Sequence, residues 1–229
     1  MNKIRGEENF LNFPSYAARL YDSFVQSNAT RLQYQEIAQD LISKIEKGRL
    51  LDIGTGPGYL LLEIQKLNPS IELYGLDIST AMVDQASRNL AGFKVDLQQG
   101  NIRATEYESE FFDLITCSGS LFLWDSPVEG LDEIHRILKG GRSAYLYEIY
   151  RDIDEKIFRE NIRENLKGEN LIRRMLVPGF FIKQLGMTYE KKEIEEIVKK
   201  TRYANSYSID ELTIARLPIW LRIELKKYA

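Results

Sequence analysis

Three glycines at every second position follow an acidic residue in the stretch Asp52-Ile53-Gly54-Thr55-Gly56-Pro57-Gly58. An apolar run precedes the acid and an amphipathic segment begins at Tyr59, which predicts a buried strand, a tight turn and the first turn of a helix. Glycines, which have no Cβ, let the backbone of such a turn approach a ligand closely. Because ligands of open α/β sheets bind beyond the carboxyl ends of the strands, this turn is the first candidate for a binding site.

The spacing of these glycines separates the ligand classes. A dinucleotide fingerprint, G-x-G-x-x-G, counted from Gly54 would need its third glycine where the chain has Tyr59. The phosphate loop G-x-x-x-x-G-K-[ST] is also absent, since neither Lys-Ser nor Lys-Thr follows. A carboxylate at Asp52 would repel a pyrophosphate, whereas it suits a ligand that carries a cation. A tight turn without any ligand is the alternative.

The rest of the chain predicts strand-then-helix units around this turn. Strands are expected at 49–53, 71–76, 93–98, 112–117, 143–149 and 219–225, with Pro218 at an edge or a bulge. Such units need crossover connections, so the fold class is α/β, a doubly wound and mostly parallel sheet with helices on both faces. Thr30 and Ser126 are expected to cap helices, Ser126 in a capping box with Glu129 and with Pro127 as the first helical residue.

A single domain is expected over 1–229. Its parts are N-terminal helices over 1–48, a core over 49–150, a cap or insertion over 151–187, and a last helix with C-terminal strands over 188–229. The apolar run 171–182 is expected either to cover the site as a lid or to serve as ordinary packing or a dimer contact.

Composition excludes several classes of protein. A chain of 229 residues with 44% hydrophobic residues forms a sizeable core, and its net charge of -3 disfavours a nucleic-acid partner. No apolar run approaches the ~20 residues of a membrane span, and the first residues lack a secretory pattern, so no membrane partner and a cytoplasmic location are expected. The single cysteine, Cys117, excludes a disulfide framework and a cysteine-based metal site, and no metal is expected.

The glycine loop resembles motif I of the class I S-adenosylmethionine-dependent methyltransferases, and four further stretches between residues 30 and 150 are similar to that family. Asp77, followed by Ile78, closes the second strand and resembles the acid that holds both ribose hydroxyls of the cofactor. Gly100-Asn101-Ile102 is similar to the motif after strand 3, with Asn101 where the family usually has aspartate. Residues 112–115 with 121–124 resemble strand 4 and the turn after it, and 137–141 resembles the helix-ending Leu-Lys-x-Gly-Gly.

The resemblance implies a Rossmann-like sheet of seven strands, with N-terminal helices and a helical insertion after strand 5. It implies S-adenosyl-L-methionine as the cofactor, S-adenosyl-L-homocysteine as its product, and methyl transfer by in-line displacement to a small-molecule acceptor. The cofactor-binding residues that it implies are Asp52, Gly54, Thr55, Gly56, Gly58, Asp77, Ile78, Met82, Asn101, Ile102, Cys117 and Ser118. Further candidates for lining the pocket are Tyr16, Tyr21, Ser120, Trp124 and Glu148.

The sequence identifies no catalytic base, and it leaves other functions open. His135 is expected on a helix surface, Cys117 in the core rather than as a nucleophile, and Asn101 either at the cofactor or as a turn former. A nucleotide-dependent oxidoreductase is one alternative function, which the missing third glycine disfavours. A non-catalytic cofactor-binding subunit is another, and a homodimer is compatible with all three.

Overall fold

A seven-stranded sheet forms the centre of the computed structural model, which describes residues 15–229. Its strands lie in the order β3-β2-β1-β4-β5-β7-β6. Strands β1 to β5 run parallel, and β7 is antiparallel to both of its neighbours, so the sheet is mixed. The expected doubly wound, mostly parallel sheet is confirmed. The strands are β1 (Gly48–Ile53), β2 (Ile71–Asp77), β3 (Val95–Gln99), β4 (Leu114–Ser118), β5 (Ser143–Ile149), β6 (Tyr207–Ile214) and β7 (Leu217–Lys226).

Helices cover both faces of this sheet. Side chains alternate along β1, so Leu50 joins the apolar cluster under α2, α3 and α6, while Leu51 and Ile53 join the cluster under α5 and α8. A short 3-10 helix, Leu121–Leu123, follows β4. The helices described are α1 (Ser15–Val25), α2 (Asn28–Ile42), α3 (Tyr59–Leu67), α4 (Thr80–Asn89), α5 (Pro127–Ile137), α6 (Glu155–Asn165), α7 (Leu171–Leu185) and α8 (Lys191–Val198).

Of the two expected helix caps, Thr30 is wrong, whereas Ser126 is the N-cap residue of its helix but without the expected capping box. Ser27 rather than Thr30 caps α2, because its Oγ accepts the backbone N–H of Thr30 at 3.4 Å. Ser126 does precede α5, with Pro127 at the start of the helix, but its side chain makes no capping hydrogen bond. Glu129 lies instead 3.3 Å from the guanidinium of Arg103. A capping box needs both side chains bonded at the helix start, whereas here the serine makes no such bond and the glutamate pairs with Arg103.

Proline stands in two regular elements, with different effects. Pro218 is the second residue of β7, beside a register shift between Leu212 and Ile214 of β6, so the expected bulge is confirmed. Pro178 lies inside α7, where it removes the N–H that would bond to the carbonyl of Arg174.

The insertion over 151–187 consists of α6 and α7, which pack against each other and against the sheet. Phe158 and Ile162 of α6 and Val177 of α7 are buried in the larger apolar cluster. The run 171–182 is therefore partly ordinary packing, one of the two expected roles. Within residues 15–229, no helix combines the length and apolar character that crossing a membrane requires.

Candidate functional site

A cavity of about 370 Å³ lies beyond the carboxyl ends of β1 to β4. Small-molecule sites occupy ~300–1,000 Å³, so the cavity is large enough for such a ligand. The loop after β1, the ends of β2 and β3 and the turn after β4 form its walls, and α1, α2, α4 and the end of α7 contribute the remainder. Predicted residues that line it are Tyr21, Gly54, Thr55, Gly56, Asp77, Ile78, Met82, Asn101, Ile102, Ser118, Ser120 and Trp124.

The three loop glycines all have positive φ, but each is needed for a different reason. A Cβ on Gly54 (φ 68°) would overlap Ser120 Oγ and lie 2.5 Å from Ser120 Cβ, so this glycine lets the turn after β4 come close. Gly56 (φ 53°) has no atom within 4 Å of such a Cβ and borders the cavity. A Cβ on Gly58 (φ 82°) would lie 2.8 Å from Leu90, so Gly58 serves the packing of α3 on α4 and lies outside the cavity wall.

Asp77 connects the loop to the second strand. Its Oδ2 accepts the N–H of Gly56 at 2.8 Å, and its Oδ1 accepts the N–H of Ser79 at 2.9 Å. Burial raises the pKa of Asp77, and these two N–H donors oppose the rise. Each carboxylate oxygen accepts more than one hydrogen bond, so both remain able to bind hydroxyls of a ligand in the cavity. Ser79 caps α4 by accepting the N–H of Met82.

Asp52 and Cys117 are both buried and lie outside the cavity wall. Burial raises the pKa of Asp52 to about 7, and the charge of Asp77 adds to the shift. Burial and then the charge of Glu148 raise the pKa of the Cys117 thiol well above its ordinary range. A thiol in this state is a poor nucleophile, so Cys117 takes the core position that was the alternative to a reactive one.

Glu148, at the end of β5, holds the turn after β4 in place. Its Oε1 accepts the N–H of Ser120 at 3.2 Å and the N–H of Leu121 at 3.1 Å. Ser120 in turn donates from Oγ to the carbonyl of Ile53 at 3.2 Å and lies 2.9 Å from Cys117 Sγ. Glu148 itself is buried and lies behind the wall, so it positions the lining residues rather than joining them.

Glu148→Gln is expected to change how stability depends on pH. Burial raises the pKa of Glu148 to about 7, above its ordinary 4.5, and the Leu121 N–H opposes the rise. A raised carboxyl pKa gives stability that is complete below pH ~4.5 and is lost as the pH rises through 7. Between pH 5 and pH 8 the wild type thus loses on the order of 2–3 kcal/mol of stability through Glu148. Glutamine does not titrate, so the variant avoids this loss, and its melting temperature relative to wild type should rise by about 5 °C over the same range.

Thermal melts at four pH values from 5 to 8 would measure this difference, with the exposed Glu160→Gln as the control that should follow wild type throughout. Glutamine keeps an oxygen that accepts the two N–H groups, so the turn should survive the change. A difference in melting temperature between Glu148→Gln and wild type that stayed constant over the pH range would contradict the raised pKa of Glu148.

Asn101 lies in a local turn at the cavity, and His135 lies on a helix away from it. Asn101 Oδ1 accepts the N–H of Arg103 at 2.9 Å, two residues along, so Asn101 forms a local turn while also bordering the cavity. His135 lies on α5 with its ring 5.1 Å from that of Tyr203, outside the cavity wall. It is therefore not placed to act as a base there.

Tyrosines of the first two helices close one side of the cavity. Burial and the charge of Asp77 raise the pKa of Tyr21 to about 12, so its hydroxyl stays protonated at neutral pH. Tyr34, which no sequence motif includes, also lines the cavity, and its ring stacks on that of Tyr59 with centroids 6.3 Å apart. Tyr59 donates its hydroxyl to Asp22 of α1 at 3.0 Å, which joins α1 to α3. The side chain of Tyr16 lies outside the described residues.

The cavity has further lining residues that were not predicted, and two of these are remote from every predicted residue in the sequence. Gln184 and Met187 come from the end of α7 and the residues after it, far along the chain from the loop. The remaining unselected ones are Ile53, Pro57, Leu76, Gly100, Gly119, Phe122 and Leu123, which are neighbours of selected residues and could have been found from that adjacency. Within residues 15–229, no group of three or more histidine, cysteine or acidic side chains is arranged to hold a metal ion.

Comparison with known sequences agrees with this geometry. Residues 50–141 match the profile of a family described as a methyltransferase domain. An uncharacterized methyltransferase of Bacillus subtilis is 30% identical over 105 residues, which are 46% of this chain and 58% of that protein. A ubiquinone/menaquinone biosynthesis C-methyltransferase of Geotalea uraniireducens is 31% identical over 121 residues, covering 51% of this chain and 52% of that protein. The chain thus spans a little over half the length of these curated relatives.

Solved structures share the fold over nearly the whole chain. A protein of Methanococcus maripaludis, assigned to the S-adenosyl-L-methionine-dependent methyltransferases, matches with a TM-score of 0.72 and 23% identity over 100% of this chain and 98% of that one. The plantazolicin methyltransferase BpumL matches with a TM-score of 0.68 and 18% identity over 97% and 93%. Residues 50–141 are therefore similar to the methyltransferase domain family, and the chain as a whole shares the fold of these solved methyltransferases.

Proposed function

We propose that this protein is an S-adenosyl-L-methionine-dependent methyltransferase that acts on a small-molecule acceptor. The observation that carries the proposal is Asp77, a carboxylate at the cavity edge whose two oxygens already bond to Gly56 and Ser79. Two adjacent ribose hydroxyls suit one such carboxylate, because each oxygen has a lone pair to spare. BpumL, which shares the fold, has been solved in complex with S-adenosylhomocysteine.

The residues present fit the cofactor. Gly56 leaves open space where a Cβ would stand, so its backbone is accessible from the cavity. Ile78, Met82 and Ile102 supply an apolar surface beside Asp77 that suits an adenine ring. The bound cofactor would supply an activated methyl group on a sulfonium, and the protein would contribute chiefly by orienting the acceptor against it. Well-oriented intramolecular reactions reach effective molarities of ~10⁵–10⁸ M.

The acceptor side of the cavity favours an apolar or amphiphilic molecule. Phe122, Leu123, Trp124 and Met187 line it, and its polar groups include Ser118 and Gln184. We propose that the apolar side chains hold the body of the acceptor and that the polar groups orient its reacting atom. The Geotalea relative carries a name that places it in quinone biosynthesis, which is consistent with an acceptor of this class. The proposal includes a cytoplasmic location.

S-adenosylmethionine and S-adenosylhomocysteine are each expected to raise the melting temperature of the pure protein. A ligand present at ~100 times its Kd stabilises the native state by about 2.7 kcal/mol, which is a shift of several degrees for a chain of this size. Incubation with methyl-labelled cofactor and a cell extract should then label a small molecule, whose identification names the acceptor.

Other outcomes of the same experiments distinguish the alternatives. Stabilisation by NAD or NADP, and by neither adenosyl compound, would refute the proposal in favour of an oxidoreductase. Cofactor binding without any labelled product, together with co-purification of a partner, would favour a non-catalytic subunit.

A further inference from the structure

Helix α7 has an outward face that is apolar. Four of its side chains are exposed by half or more: Leu171 by 71%, Ile172 by 69%, Met175 by 71% and Leu176 by 51%. Residues three and four positions apart are neighbours on a helix surface, and the pairs 171/175, 172/175 and 172/176 have this spacing, so these four form a contiguous surface, here called the α7 patch. Val177, the residue that follows, is buried, which shows that the helix is anchored to the fold by its other face.

The charge around the α7 patch differs from that of the rest of the chain. Residues 155–185 contain seven basic and four acidic residues, a net charge of +3, whereas the whole chain carries -3. Arg173 pairs with Glu169 at 3.0 Å and Lys167 pairs with Glu164 at 2.6 Å. Arg163 and Arg174 are exposed and form no ion pair with any residue in the described part of the chain. Arg174 therefore places one such cation within the same turns of α7 as the patch, and Arg163 adds another on the neighbouring helix α6.

We propose that the α7 patch binds the surface of an anionic lipid bilayer. Apolar side chains that enter the boundary between headgroups and acyl chains, flanked by arginine and lysine, are the elements of an interfacial helix. Cations near an anionic surface add attraction that salt screens. An interfacial helix needs no spanning segment, so this contact revises the expectation of no membrane partner, which rested on the lack of a span.

A second copy of the chain fits this face less well. The α7 patch consists of four side chains, whereas a stable dimer interface takes ~20–30 residues from each partner. A symmetric dimer through the patch would also bring two segments of net charge +3 together, and like charges across an interface oppose association. An anionic surface has the opposite charge and imposes no such repulsion.

The α7 patch and the cavity are connected through one helix. Gln184, near the end of α7, lines the cavity, and Met187 follows it there. A protein held at the bilayer by the first turns of α7 would thus have this side of its cavity near the lipid, where apolar acceptors concentrate. This last step rests on the proposed function, but lipid binding by the patch does not.

Sedimentation of the full chain with vesicles tests the proposal. Binding is expected with phosphatidylcholine mixed with phosphatidylglycerol, and much less with phosphatidylcholine alone or at high salt. The double variant Ile172→Glu, Met175→Glu should bind the mixed vesicles at least ~10-fold less. Phe93→Glu, a single change of the same apolar-to-glutamate kind at a residue 43% exposed and distant in sequence from α7, should bind as wild type does.

The stabilisation that S-adenosylhomocysteine gives each variant separates lipid binding from the proposed function. Equal stabilisation of wild type and both variants, with lipid binding lost only in the double variant, would support the proposal. The proposal would be overturned if the protein did not bind anionic vesicles, if the double variant bound them as wild type does, or if the protein bound neutral vesicles equally well. A concentration-dependent dimer that the double variant abolished would instead assign the patch to a second copy.

Discussion

Asp77→Ala should abolish the rise in melting temperature that S-adenosylmethionine and S-adenosylhomocysteine give the wild-type protein. Under the proposed function the variant lacks the carboxylate that would bond to the two ribose hydroxyls, and hydrogen bonds to a charged group contribute about 1.5–3 kcal/mol each. Two such bonds correspond to at least a ~100-fold loss of affinity. Isothermal titration with S-adenosylhomocysteine measures the loss directly, and thermal melts in the presence of either compound provide an independent check.

Asp77 also holds the loop, so a second variant must separate binding from structure. Its oxygens accept the N–H groups of Gly56 and Ser79, and alanine would remove both contacts. Asp77→Asn keeps one acceptor oxygen but replaces the other with an NH₂ donor, and it removes the charge. If the loss concerns the ligand, the asparagine variant should melt near wild type without ligand and still bind weakly.

Asp84→Ala serves as the matched control, because Asp84 is an exposed aspartate on α4, the helix that follows β2. This variant should bind S-adenosylhomocysteine as wild type does. Full stabilisation of Asp77→Ala by S-adenosylhomocysteine would refute the role of this carboxylate. It would also remove the observation on which the proposed function rests.

The sheet and the glycine loop were predictable because they depend on local patterns. Apolar runs that end in an acid or a glycine mark the ends of the parallel strands, and β5 has the predicted bounds Ser143–Ile149. A cavity at the carboxyl ends of such strands follows from topology alone. The loop residues Gly54 and Gly56 and the strand-end residue Asp77 therefore line the cavity that the sequence placed beside them.

The direction in which individual side chains point was harder to predict from the sequence. A motif assigns Asp52 and Cys117 to the site, but both side chains turn into the interior while neighbouring atoms form the wall. Contacts between distant segments were out of reach: the bonds of Glu148 to the turn after β4 join residues 27 and 28 positions apart. They require the register of β4 on β5, which periodicity does not specify.

Gly54→Ala should destabilise the protein strongly, and Gly56→Ala should do so only weakly. Both residues have positive φ, so each alanine meets backbone strain of about 1–2 kcal/mol. At Gly54 the new Cβ would also lie 2.5 Å from Ser120 Cβ and overlap its Oγ, whereas nothing lies within 4 Å at Gly56. Overpacking of this kind costs about 1–3 kcal/mol more. The melting temperature of Gly54→Ala should thus fall below that of Gly56→Ala by roughly 2–10 °C.

The double variant Gly54→Ala, Ser120→Gly tests whether the clash is the cause. Removing the Ser120 side chain alone should be destabilising, because Oγ bonds to the Ile53 carbonyl and contacts Cys117. In the Gly54→Ala background the same change also relieves the overlap, so its net cost should be smaller, and a double-mutant cycle isolates that coupling. Strictly additive free energies would mean that Gly54 is required for its backbone angles alone. A coupling of about 1 kcal/mol or more would mean that this glycine is required because the β1 loop and the β4 turn, two walls of one cavity, meet at that point.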